Sequence, residues 1–76
     1  MKRFYTLVSY GENKDGRPIL LDGKTAKTPS GNVLTAPSEK VAEAMVREWD
    51  EQKDVINPLA MPITQIQITK LDFING

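Results

Sequence analysis

Seventy-six residues balance ten Lys and Arg against ten Asp and Glu, with no His and no Cys, which leaves room for one small domain. That composition excludes disulfides, thiolate zinc sites, cysteine nucleophiles and every imidazole-based site, and zero net charge offers no bulk attraction to nucleic acid or an anionic membrane. No apolar run passes three residues, far short of the roughly 20 that span a bilayer, and Phe4 to Tyr10 is too mixed for a signal-peptide core.

In chain order, Phe4 to Tyr10 is rich in aromatic and β-branched residues. Phe4, Thr6, Val8 and Tyr10 fall on one side and Tyr5, Leu7 and Ser9 on the other, which predicts a strand with both faces partly covered. The polar stretch from Gly11 to Gly16 reads as a turn. Pro18-Ile19-Leu20-Leu21 predicts a second strand, separated from Lys24–Thr28 by Asp22-Gly23. Asp-Gly suits a type I′ hairpin because both central residues take positive φ. Pro29-Ser30-Gly31-Asn32 makes another turn before a strand over Val33–Thr35. The turns are short, so sequential strands are expected to pair.

Ser38 is placed to cap a helix running to Lys53, with Glu39 in its first turn. Val41, Ala42, Met45, Val46 and Trp49 form one apolar stripe. Glu39, Lys40, Glu43, Arg47, Asp50 and Glu51 fall largely on the wet face, with Glu43–Arg47 and Arg47–Glu51 spaced as i,i+4 ion pairs. Asn57-Pro58 ends any continuation. After the stiff Pro58–Pro62 connector, Ile63, Ile66, Leu71 and Ile74 outline a helical face beginning near Pro62. Gln65-Ile66-Gln67-Ile68-Thr69 alternates like a strand, which keeps that alternative open. The expected architecture is α+β: an antiparallel meander of about four strands packed on one amphipathic helix, with a second helix from near Pro62. Residues 1–60 form the meander-plus-helix domain, and 61–76 the connector and the start of a helical C-terminal domain.

No catalytic, cofactor-binding or metal-binding residues emerge. Glu48, Asp50, Glu51 and Asp54 could hold a divalent cation at helical spacing, but they are interleaved with Arg47 and Lys53, and solvation explains them more simply. The glycines lie in four separate turns, not in one phosphate-binding loop, and Gly23-Lys24-Thr25 sits in a hairpin. Lys2, Arg3, Lys14, Arg17, Lys24 and Lys27 beside Phe4, Tyr5 and Tyr10 support a lesser alternative, a meander face binding single-stranded nucleic acid through Lys24, Lys27 and the aromatic strand. Trp49 ends the helix stripe, with core packing its simplest role. Leu7, Ile68 and Phe73 are surplus to a sheet with one helix and available to a partner or to a further domain of the same protein; with Trp49 they are the candidate partner-binding residues.

Arg3-Phe4-Tyr5, Leu20-Leu21-Asp22-Gly23-Lys24 and Lys27-Thr28-Pro29-Ser30-Gly31 come first. Glu48-Trp49-Asp50-Glu51-Gln52, Asn57-Pro58 and Met61-Pro62-Ile63-Thr64 follow in order. From Arg3 to about Thr69 the chain resembles the N-terminal region of the F1-ATP synthase assembly chaperones acting on the α subunit, known in mitochondria and α-proteobacteria. The resemblance implies a non-enzymatic assembly factor without cofactors, whose client is the F1-ATPase α subunit. It also implies a longer protein whose largely helical C-terminal domain follows this region. Lys- and Ile-rich usage and the absence of a transit peptide point to the bacterial cytoplasm, with the mitochondrial matrix the counterpart in a eukaryote.

Overall fold

A computed structural model describes residues 2–14 and 16–75, with side chains described to residue 73. Asp15, in the expected first turn, and the Ile74 side chain, assigned to the second helical face, therefore lie outside the described residues. Four antiparallel strands are present: β1 (Val8–Tyr10), β2 (Arg17–Leu21), β3 (Lys24–Thr25) and β4 (Thr35–Ala36). Two helices follow, α1 (Glu39–Asp50) and α2 (Pro62–Asn75), joined through a 3-10 turn at Pro58–Ala60. The fold is α+β with α1 packed on the sheet, as composition and periodicity require, and residues 63–74 are helical.

The hairpin between β2 and β3 forms at Asp22-Gly23, with Leu21 opposite Lys24 and φ values of 54° and 83° at the two turn residues. Asp tolerates this left-handed geometry better than most side chains, and Gly has no Cβ to oppose it. Gly16 is required for a different reason: at φ 140°, an added Cβ would lie 2.9 Å from the Ala36 carbonyl oxygen.

Two strand expectations need correction. The first strand is regular only from Val8, not from Phe4, and its inward phase slips by one residue: Tyr5 is buried, whereas Val8 and Tyr10 face the core further on. The slip sits at Thr6-Leu7, whose backbone N–H groups donate to the Asp22 carboxylate at 2.8–3.1 Å. The turn residue therefore claims donors that a longer strand would have used. The second correction is to the pairing of β4. It pairs with β2, Arg17 opposite Ala36 and Pro18 opposite Thr35, and only a single Lys27–Val33 bridge joins its approach to the β3 side. Because β3 covers just the Leu20–Leu21 end of β2, the remaining edge is free for β4. At the junction Ile19 N–H donates to Leu34 O, Ala26 N–H to Ile19 O and Leu34 N–H to Ala26 O, all at 2.8–2.9 Å. Ile19 and Leu34 are both 0% exposed there, at the centre of the core.

Ser38 caps α1, its hydroxyl accepting from Val41 N–H at 3.3 Å. Ala42 and Met45 bury the centre of the stripe, flanked by half-buried Val41, Val46 and Trp49. The expected i,i+4 pairs of Arg47 do not close among the described residues, where the ion pairs are Arg3–Asp50 and Arg17–Glu12. Helix α1 ends at Asp50, not Lys53, because Gln52 turns the chain back. Its buried side-chain amide donates to Glu48 O at 3.1 Å and accepts from Asn57 N–H at 2.6 Å.

Helix α2 packs against α1 in an orientation that the apolar spacing does not predict. Thr64 and Gln67 are buried and Ile63, Ile68 and Leu71 flank them, while Ile66, assigned to the inner face, is turned outward. The C-terminal half of α2 is fastened to the turn after β3: the Thr28 hydroxyl and the Asn32 amide donate to Asp72 Oδ1. The Thr28 hydrogen bond lowers the Asp72 pKa most; desolvation opposes it, and hydrogen bonds from Asn32 and Ser30 lower it further. A carboxyl whose folded pKa is depressed stabilises above its unfolded value, about 4, and loses that contribution as pH falls through the folded value. Acidification below about pH 4 is therefore expected to loosen this end of α2. Amide exchange at residues 69–72 measures the release, and Asp72→Asn should flatten its pH dependence; an unchanged profile in that variant would refute the assignment.

Candidate protein-binding surface

The chain after α1 doubles back over Pro58 and Met61 and then runs into α2, leaving a groove of about 460 Å³ between this connector, α2 and the turn after β3. Its apolar floor comes from Trp49, Ile56, Pro58, Met61 and Ile68, with Lys27, Thr28, Pro29 and Gln65 completing the walls. Of the four candidate partner-binding residues, Trp49 and Ile68 meet here. Leu7 and Phe73 do not: Leu7 stands at the entry to β1 and is 70% exposed, and Phe73 projects from the end of α2 at 88% exposure. Phe4, Val55, Leu59 and Ile66 are further large apolar side chains in contact with water. Sequence reasoning did not find Ile56, Met61, Gln65 or Lys27 as groove residues. The usable signal was the Pro58–Pro62 spacing, which returns the chain beneath Trp49.

Trp49 is held twice by one residue, Tyr5. Tyr5 meets its ring edge-on at a centroid distance of 5.7 Å, and the Tyr5 hydroxyl donates to Trp49 O at 2.7 Å. Burial raises the Tyr5 pKa, the Arg3 charge opposing this and the Asp50 charge adding to it. The indole Nε1–H is shut off from solvent and has no acceptor, a defect that costs about 1–3 kcal/mol in a folded chain.

Glu48 corrects the reading of the acidic cluster as a solvated face. Its carboxylate accepts from Ile63 N–H and Thr64 N–H, each at 2.8 Å, and from the Thr64 hydroxyl at 2.7 Å. A side chain of α1 thus caps α2, placing negative charge where the orphan amides and the helix dipole favour it. This clamp draws Thr64 inward and turns Ile66 out. Among the described residues, no group of three or more potential metal ligands is assembled.

Of the basic and aromatic residues of the nucleic-acid alternative, Arg3, Arg17 and Tyr5 do structural work, while Lys24, Lys27 and Phe4 are exposed. The Arg3 guanidinium sits 4.5 Å above the Tyr5 ring and donates to the carbonyls of Tyr5, Thr6, Asp50 and Gln52. Arg17 pairs with Glu12 at 3.4 Å, and Tyr5 is buried.

Comparison with known proteins matches residues 2–75 to the family model described as ATP12 chaperone protein. The crystal structure of Atp12 from Paracoccus denitrificans shares 31% identity and a TM-score of 0.91 over 97% of this chain and 32% of that one. A single-site mutant of that protein gives 32% identity, a TM-score of 0.90, and coverages of 96% and 31%. An Agrobacterium tumefaciens protein of known crystal structure is 43% identical, with a TM-score of 0.88 over 97% of this chain and 28% of that one. The chain thus spans about a third of the length of these solved relatives. With a family match along nearly its entire length and the same fold in relatives above 30% identity, the chain belongs to the ATP12 chaperone family.

Proposed function

We propose that this chain is the N-terminal part of a non-enzymatic assembly factor that holds the F1-ATPase α subunit during construction of ATP synthase. Residues 1–60 serve as the meander-plus-helix domain, and 61–76 lead into a helical C-terminal domain of the longer protein. The family match over residues 2–75 carries the reading. The groove containing Trp49 and Ile68 supports it, since a protein client is held through contiguous apolar surface. No helix among the described residues is long and apolar enough to cross a membrane; the bacterial cytoplasm, or the mitochondrial matrix in a eukaryote, is the proposed site of action.

The test is suppression of aggregation of unassembled F1 α subunit by this chain, with full-length Paracoccus denitrificans Atp12 as the comparison. A protective effect that survives high salt is expected, because the chain has no net charge and salt screens only charged contacts. Failure of both proteins to protect the α subunit would refute the reading.

A further inference from the structure

Helix α2 lies outside the core that it packs on. Among the described residues, every fully buried apolar side chain falls between Tyr5 and Met61, so the core closes before α2 begins. The side chains that α2 itself buries are Thr64 and Gln67, while Ile66 and Phe73 face water; its apolar contribution is the half-buried set Ile63, Ile68 and Leu71. Each end is then fastened by one carboxylate. Glu48 of α1 accepts from the Ile63 and Thr64 amides at the first turn, and Asp72 accepts from the Thr28 hydroxyl and the Asn32 amide near the last. Pro62 opens α2 and has no N–H to carry the hydrogen bonds of the Pro58–Ala60 turn across the junction.

We propose that α2 is a strap that opens as one unit about the Met61–Pro62 junction while the sheet and α1 stay folded. Buried apolar surface is what ties an element to the rest of a fold, and a segment with little of it opens more easily than the core. The two polar latches, rather than the core, set how often α2 opens. A lone helix of this length is marginal in water, so undocking and melting coincide and its amides are exposed in a single event. In the closed form Ile68 stands over the groove that holds Trp49, Ile56 and Met61. Its departure with α2 turns that groove into an open apolar face on α1 and the connector. Presenting this face to the client deepens the proposed function and rests on it; the opening rests on the packing alone.

Hydrogen exchange of the intact chain, read amide by amide in urea below the global transition, tests the strap. The amides of Ile66–Leu71 should share one opening constant and one urea dependence, with protection about a hundredfold below that of Ile19 and Leu20 in β2. In a second sample Thr28→Cys and Asp72→Cys, the only thiols in the molecule, are joined by a short bifunctional thiol reagent. Joining them should raise α2 protection toward that of β2. Protection of α2 equal to that of β2 in the unaltered chain overturns the proposal, and that measurement decides even where the double variant does not fold. So does protection that declines steadily toward Leu71, which is fraying, or a cross-link that leaves α2 exchange unchanged. The joined form should also protect unassembled F1 α subunit less than the unjoined form, and equal protection would overturn the part given to opening in client capture. Failure of both forms to protect, with α2 exchanging as one unit, would count against the α subunit as client and leave the strap standing.

Discussion

Glu48→Ala is expected to destabilise the chain by about 2–3 kcal/mol, because one carboxylate satisfies two backbone donors and a hydroxyl, and hydrogen bonds to charged acceptors are the stronger class. For a domain of this size that corresponds to a fall in Tm of roughly 10–20 °C, a large part of the few kcal/mol such small domains possess. The loss should be concentrated in α2. Ile63 and Thr64 N–H lie at its unsatisfied N-terminus, and the helix has little apolar periodicity to hold it otherwise, with Thr64 and Gln67 inward and Ile66 outward. Hydrogen exchange should therefore accelerate at Ile63–Gln67 well before the amides of β2. Glu48→Gln should lie between wild type and Glu48→Ala, since its carbonyl keeps one acceptor while its NH₂ faces donors. Uniform acceleration across sheet and helix, or an unchanged Tm, would refute the clamp. Because Ile68 reaches the groove from α2, the same substitution should also open the Trp49 site.

Local devices were legible in the sequence, whereas contacts between distant segments were not. Asp22-Gly23 announced its turn because the backbone demand arises within two residues, and the Ser38 cap is complete within three. The stripe Ala42–Met45–Trp49 was readable since one helix carries the whole pattern. The role of Glu48 was hidden because its donors lie 15 and 16 residues downstream, and a carboxylate at a helix end has the same sequence pattern whether it meets water or amides. The rotation of α2 was misread for the same reason: Ile66 fits an apolar stripe, but the buried hydrogen bonds of Thr64 outweigh the burial of one isoleucine. The partner of β4 depended on how much of β2 was left uncovered by β3, which is a property of the assembled sheet. For the site, Trp49 and Ile68 were identifiable as surplus apolar groups. Their convergence depended on the path of the Pro58–Met61 connector, and Leu7 and Phe73 looked equivalent to them until the fold separated them.

Arg3→Ala is expected to cost about 2–3 kcal/mol, and Arg3→Lys to recover less than half of it. The argument is geometric. The guanidinium donates from Nε to Tyr5 O at 3.0 Å, from one terminal nitrogen to Asp50 O and Gln52 O, and from the other to Thr6 O, while its plane covers the Tyr5 ring. It therefore ties the N-terminal segment to the carbonyl end of α1, where free C=O groups and the helix dipole favour a cation. Lys keeps the charge but not the fork; an ammonium can reach one or two of these acceptors and cannot stack. If charge alone mattered, Arg3→Lys would be nearly silent, and equal Tm values for wild type and Arg3→Lys would refute the geometric account. The Asp50 carboxylate, 3.8 Å away and 67% exposed, is a minor contributor, so Asp50→Asn should change Tm little and the Arg3 effect should persist in high salt. Tyr5 transmits the loss: without the cation above its ring, its edge contact and hydroxyl bond to Trp49 loosen. Arg3→Ala should accordingly broaden the Trp49 indole resonance at temperatures where the sheet is still folded.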